Sequence, residues 1–303
     1  MLKKTILLEN KSQVHCKNLQ LVITTEQRES SIPIEDIGFV VLDHSEIFFS
    51  ITAFNQLIEN NAAVILCNNK HLPNGLFMNL NSHHIQQEIF KNQIEASIPL
   101  KKQLWQQTIV EKITNQGILL EKVSGSKNAF SFLASKVLSG DSSNMEAVAA
   151  SQYWKSFFEV DDEVQIYLNK FKRERFGEYP NNFLNYGYAI LRAATARALA
   201  GSGLLNTLGI HHKSKYNAFA LADDIMEPFR PLVDEKVFEI MQKYNDEELN
   251  TAIKADLLQI LTRTVYFKDE KSTLMVALQK TASSLQQCYT GERKKIKYPK
   301  LWN

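Results

Sequence analysis

The stretch FMNLNSHHIQQE, residues 77–88, separates two kinds of sequence. Ahead of it lie short apolar runs: KTILLEN (4–10), LQLVITT (19–25), IGFVVLD (37–43) and EIFFSI (46–51). They are rich in β-branched and aromatic residues and read as strands. The polar stretches ENKSQ and TTEQRESS between them read as turns. One helix interrupts the strands, since TAFNQLIEN (52–60) sets Phe54, Leu57 and Ile58 at i, i+3, i+4 spacing. AAVILCN (62–68) then returns as a buried strand. These features predict a small domain of antiparallel character with one packed helix.

From about residue 83 the period lengthens. KKQLWQQTIVEKI (101–113) places Trp105, Ile109 and Ile113 four apart, and comparable patterns recur almost to the C-terminus. Helices are expected around 129–139, 143–158, 162–176, 182–200, 215–227, 234–243, 246–265 and 271–288. Strands followed by helices give an α+β fold class. The expected division is an N-terminal β-rich domain over 1–85 and a larger all-α domain over 86–303, with 77–88 as the linker.

The chain has 303 residues, enough for two domains with substantial cores, and 44% hydrophobic and 22% charged residues, ordinary values for a globular protein. A net charge of +2 does not suit a protein that coats nucleic acid indiscriminately, so any such contact depends on local patches. Two patches stand out, NKFKRERF (169–176) and GERKKIKYPK (291–300). They are solvated faces or phosphate contacts, and composition leaves both open. Cys16, Cys67 and Cys288 lack metal-ligand spacing and suit a reducing compartment. No apolar run approaches the length of a membrane span, and the first residues lack the apolar core of a signal peptide. A soluble, cytoplasmic protein is expected.

The segment HHKSKYNAFALADDIMEPFRP (211–231) carries the densest chemistry. On a helical wheel Ala218, Phe219, Leu221, Ala222, Ile225 and Met226 share one arc, and Asp223, Asp224 and Glu227 gather opposite. Like charges at i, i+3 and i, i+4 repel. A divalent cation would turn that repulsion into ligation, and solvation would also absorb it. His211 and His212 precede the acids as incidental surface residues or as ligands. A metal shell would need a further acid, and Glu146 in GDSSNMEAVAASQYW (140–154) is the candidate. There Ser143-Asn-Met-Glu146 has the spacing of a capping box, which by itself favours a structural role. In EYPNNFLNYGYAILRAATARALAGSG (178–203), Asn185, Ala189, Arg192 and Ala196 form a stripe. Its two alanines would allow another backbone close, while Tyr186 and Tyr188 would pack between helices. Phosphate-loop, G-x-S-x-G, H-E-x-x-H and C-x-x-C patterns are all missing, which removes those enzyme classes.

Together GDSSNMEAVAASQYW, PNNFLNYGYAILRAATARAL and GIHH…LADDIMEPFRPLVD resemble the three core motifs of the CRISPR-associated integrases of spacer acquisition, the Cas1 family. DIMEPFRPLVD looks most like the versions of type II systems. The resemblance covers nearly the whole chain and implies a metal-dependent DNA integrase and endonuclease in antiviral defence. Such an enzyme inserts short duplexes into a CRISPR array by attack of a 3′-hydroxyl on the repeat backbone. By motif, Glu146, His212 and Glu227 become the catalytic metal ligands, with Asp224 as a supporting acid and Mg²⁺ or Mn²⁺ as the ion. The family often has Asp where this chain has Glu227. The implied partners are double-stranded DNA, a second copy joined through the β-rich domain, the small Cas2 protein, and Cas9 with other type II adaptation proteins. Lys172, Arg173, Arg175 and Arg192 are the candidate DNA contacts. The rival functions are a non-catalytic DNA-binding scaffold and a general metal-dependent nuclease acting on branched DNA or RNA.

Overall fold

A computed structural model describes residues 3–79, 83–125, 127–158, 171–175, 177–268 and 270–303. The N-terminal region holds two four-stranded sheets. The first has the order β1 (Lys4–Leu8), β5 (Ile37–Leu42), β7 (Ala63–Cys67), β8 (Pro73–Phe77), and the second β4 (Glu29–Pro33), β3 (Gln20–Thr24), β2 (Ser12–Lys17), β6 (Ile47–Phe49). In the first sheet β1, β5 and β7 run parallel, and only β8 is antiparallel. This corrects the expectation of antiparallel character for the first sheet, while in the second β3 runs antiparallel to both β2 and β4. Every residue of β5 is buried, as expected for a parallel strand covered on both faces.

Alternate residues of this sheet serve two cores. Val40, Leu42 and Val64 join Ala53 and Leu57 of α1 (Ile51–Glu59) in the N-terminal core. Phe39, Val41, Ala63 and Ile65 point the other way and belong to the core of the helical part. The period-2 pattern of one strand therefore fastens the two parts of the chain together. A buried ion pair adds to the seam, since Lys254 donates to Asp43 at 2.7 Å and to Glu9 at 3.1 Å. Strands β2 and β4 each begin inside a stretch read as a polar turn, ENKSQ and TTEQRESS. Strand β4 is largely exposed, with three of its five residues in solvent, so it carries no apolar signal.

The helical part is α2 (Gln86–Ile94), α3 (Ile98–Ser124), α4 (Phe130–Ser135), α5 (Met145–Phe157), α6 (Asn181–Gly201), α7 (Ala220–Met226), α8 (Arg230–Lys243), α9 (Thr251–Leu258) and α10 (Leu274–Tyr289), among the described residues. Trp105, Ile109 and Ile113 of α3 are buried as their spacing requires. The helix expected over 246–265 stops at Leu258, and a hairpin, β9 (Thr264–Phe267) with β10 (Glu270–Thr273), precedes α10. TVYF buries Val265 and Phe267 on alternate positions, which is strand periodicity. The helix expected over 162–176 lies mostly outside the described residues, and 171–175 are neither helix nor strand. Among the described residues no helix is long and apolar enough to cross a membrane.

Candidate active site

Four elements meet at the candidate site. Helix α3 packs against α5, against the 3₁₀ turn Glu227–Phe229 that follows α7, and against α8. Asn115 of α3 donates to the Pro228 carbonyl at 2.8 Å and fixes that turn. Helix α6 packs against α7 and α8. A Cβ at Gly187 would meet Val233 Cγ1 at 2.5 Å, so this glycine permits the close approach that the sequence suggested for Ala189 and Ala196.

Glu146 sits in the first turn of α5 but is not part of a capping box. Ser143 Oγ accepts from the Leu138 amide and donates to the Lys136 carbonyl. The cap is Asp141, whose carboxylate accepts from the amides of Met145 at 2.9 Å and Glu146 at 3.0 Å. An acid at this end also suits the helix dipole. The Glu146 side chain is thus left for other work and accepts from Lys112 Nζ at 2.7 Å.

The three acids of 211–231 are not a solvated face. Asp223, Asp224 and Glu227 are 7%, 0% and 4% exposed, and each is engaged differently. Asp223 accepts from Arg192 at 2.6 Å and from Asn217 at 2.8 Å. Asp224 collects the backbone amides of Ile210, His211 and His212 at 2.6, 2.9 and 3.3 Å, and lies 2.6 Å from His212 Nδ1. A carboxylate can only accept here, so Nδ1 carries the hydrogen, and in the neutral ring Nε2 presents its lone pair. The hydrogen bond that His212 donates to Asp224 raises the pKa of the ring in spite of burial, and Glu227 and Asp223 add to the rise. His211 turns away and stacks on Trp105, centroids 4.3 Å apart and 4° from parallel. Gly209 makes the loop possible: a side chain there would strike the His212 carbonyl at 2.5 Å and Asp224 Oδ2 at 2.9 Å.

Glu227 accepts from Arg230 at 2.8 Å through Oε1, and its Oε2 lies 2.6 Å from Lys112 Nζ. Oε2 is thus buried in an ion pair with Lys112. Burial works against ionisation, but Arg230 and Lys112 hold the carboxyl down to about 2. Burial likewise pulls Lys112 down, and Glu227 and Glu146 more than offset it, so its pKa is raised. Arg230 is held from behind, because its guanidinium lies 4.6 Å from the Tyr188 ring centroid. The Tyr188 hydroxyl donates to Asp234, which also accepts from Tyr153 at 2.8 Å.

Glu146 and Glu227 are therefore brought onto one cation, the Lys112 ammonium, and His212 is held by Asp224. Among the described residues no three His, Cys, Asp or Glu side chains converge on an ion as they stand. The donor set still fits a hard divalent ion, with the two carboxylates of Glu146 and Glu227 and the imidazole of His212. Asp224 has its oxygens filled by donors, which suits an orienting role better than a ligand. Lys112 and Arg230 were missed in the sequence, because Lys112 is 34 residues from one partner and 115 from the other. Arg230 stands within PFRP and could have been found from its i, i+3 spacing to Glu227.

Beside His212 opens a cavity of about 950 Å³. Lys101, Lys102, Lys213 and Lys215 line it with Trp105 and Tyr216, whose ring is 85% exposed. The interleaved cations and aromatics of HHKSKY were the available signal. Of the candidate DNA contacts, Arg192 is paired with Asp223, and Arg173 donates to Asn181 at 2.9 Å and Asn185 at 2.7 Å. Lys172 is exposed and near Glu174 at 3.2 Å, and Arg175 is also on the surface.

Comparison with known proteins agrees with the motifs. Residues 5–254 match the family described as CRISPR associated protein Cas1. The CRISPR-associated endonuclease Cas1 of Neisseria meningitidis serogroup C (strain 8013) is 33% identical over 98% of this chain and 96% of its own length. Among solved structures, a casposase bound to integration product superposes with a TM-score of 0.74 at 19% identity, covering 97% of this chain and 92% of that one. A Cas6-RT-Cas1–Cas2 complex superposes with a TM-score of 0.73 at 19% identity, covering 99% of this chain and 36% of that one. The two superpositions establish a shared fold.

Proposed function

From the premise that this chain belongs to the Cas1 family and is an enzyme of the endonuclease class, we propose that it inserts short DNA duplexes into a CRISPR array by metal-dependent strand transfer. One observation carries this reading. Glu146 and Glu227 come from separate helical elements yet share a single cation position, with Lys112 Nζ 2.7 and 2.6 Å from their oxygens. His212, held through Nδ1 by Asp224, lies within electrostatic reach of Glu227.

Mg²⁺ or Mn²⁺, when bound, would neutralise charge on the phosphate and help activate the attacking 3′-hydroxyl near neutral pH. Glu146, Glu227 and His212 Nε2 would hold that ion. Asp224 keeps His212 in the required tautomer, and the three amides on Asp224 keep the loop from turning. Arg230 pins Glu227 Oε1, so this ligand meets the ion with little reorganisation. The lysines and Tyr216 of the adjoining cavity suit a DNA strand, with cations on phosphates and an exposed ring for a base. Lys172, Arg173, Arg175 and Arg192 remain proposed duplex contacts, with Arg173 and Arg192 also serving the fold.

The same reading extends to the assembly. A β-rich domain over 1–85 would join two copies, a helical catalytic domain over 86–303 would carry the chemistry, and Cas2 would bridge dimers. Cas9 and other type II adaptation proteins would act alongside, in the cytoplasm. The rival of a catalytically silent scaffold draws on one fact, that Lys112 already neutralises the acids.

The test supplies a duplex with free 3′-hydroxyls and a repeat-containing target, with Mg²⁺, Mn²⁺ or a chelator. Metal-dependent joining to the repeat target over an unrelated duplex is expected. DNA binding without joining would favour the scaffold, and metal-dependent cutting of branched substrates without repeat preference would favour a general nuclease.

A further inference from the structure

We infer that Lys112 is a resident counter-cation of the Glu146–Glu227 pair, and that a divalent ion enters this site by exchange with its ammonium. The inference rests on the metal-dependent reading above and adds a role for a residue outside the ligand set.

Lys112 projects from the middle of α3, where its neighbours Ile109 and Ile113 are fully buried. The backbone is fixed by that packing, so any displacement belongs to the side chain. Its ammonium touches Glu146 Oε1 at 2.7 Å and Glu227 Oε2 at 2.6 Å. Two carboxylates brought this close need a cation, since unpaired buried charge is strongly unfavourable. With Lys112 and Arg230 present the two negative charges are balanced. A divalent ion placed beside an unmoved ammonium would meet like charge at contact distance.

The two resident cations differ in how firmly they are held. Arg230 contacts Glu227 Oε1 and lies over the Tyr188 ring, whose hydroxyl is tied to Asp234. Its planar guanidinium is gripped on two sides. Lys112 is a compact charge on a flexible stem, and no aromatic ring holds it among the described residues. Its contact with Glu227 Oε2 is an ion pair at 2.6 Å, and a divalent ion can take the place of the ammonium on that oxygen. Lys112 is therefore the cation that leaves, and Arg230 the one that stays. The acids remain paired without metal, and binding costs the rupture of that pairing.

The test measures Mn²⁺ binding by titration calorimetry, and melting temperature with and without Mn²⁺, in wild type, Lys112→Met, Lys112→Gln and Glu146→Gln. Both Lys112 variants should bind Mn²⁺ at least roughly tenfold more tightly than wild type, because nothing competes for the acids. Their metal-free melting temperatures should fall, and Mn²⁺ should raise them by more than it raises wild type. Glu146→Gln should weaken binding. Equal or weaker Mn²⁺ binding in folded Lys112 variants overturns the exchange while leaving the metal site standing. Should Lys112→Met fail to fold, Lys112→Gln carries the comparison. No Mn²⁺ binding by any of the four proteins overturns the metal-dependent reading and the exchange with it.

Discussion

Asp224 holds His212 by its side chain and its backbone at once, with Nδ1 at 2.6 Å and the amide at 3.3 Å on the same oxygen. The other oxygen takes the amides of Ile210 and His211. One fully buried carboxylate thus sets both the loop and the tautomer of the ring it carries.

Replacing Asp224 with Asn leaves one acceptor oxygen for four donors and adds an amide that itself needs acceptors. The expected loss is about 2–3 kcal/mol of stability, from orphaned buried donors. Metal affinity should fall about 10–100-fold, as for other outer-sphere partners of histidine ligands. Urea unfolding and Mn²⁺ titration check the two effects separately. Unchanged metal affinity would show that His212 does not need Asp224 for its orientation.

Gly209→Ala should act on the same loop from the other side. The added methyl would collide with the His212 carbonyl, a backbone atom that cannot rotate away. A lowered melting temperature is expected, together with loss of strand transfer and retention of DNA binding. A variant as stable and active as wild type would mean that the loop shifts freely.

Asp234 gives a pH signature. Burial pushes its carboxyl up to about 6, in spite of hydrogen bonds from Tyr188 and Tyr153. Its ordinary value is 3.8, so between about pH 4 and 6 the folded state holds a proton that the unfolded chain has released. Stability from this group is full below pH 4 and declines as pH rises through 6, by on the order of 3 kcal/mol. Asp234→Asn should remove that slope from a plot of unfolding free energy against pH. An identical slope in the variant would assign the effect to another group.

The fold was legible where periodicity is strong. Trp105, Ile109 and Ile113 announced α3, and IGFVVL announced a buried strand. Strand direction was not legible, because a fully apolar run pairs either way. At the site, the acids and histidines stood in one segment, and the resemblance turned Glu146 from a candidate with a rival capping role into an expected ligand. The choice between the two histidines needed coordinates, since only the structure shows His211 on Trp105 and His212 on Asp224. The capping-box reading of Glu146 failed because Asp141, five residues earlier, takes the Glu146 amide that Ser143 would have accepted from, through a turn with Asn144 at φ 53°. Lys112 gave no sequence signal, since its partners meet it only through tertiary packing.

The most direct test of the site is strand transfer by His212→Ala, measured with DNA binding on the same preparation. The ring is 42% exposed and Asp224 keeps three backbone donors without it, so the variant should fold. Loss of joining in Mg²⁺ and Mn²⁺, with DNA binding near that of wild type, is the predicted result. Joining at the wild-type rate would contradict the assignment of His212, and with it the active site built from Glu146, His212 and Glu227.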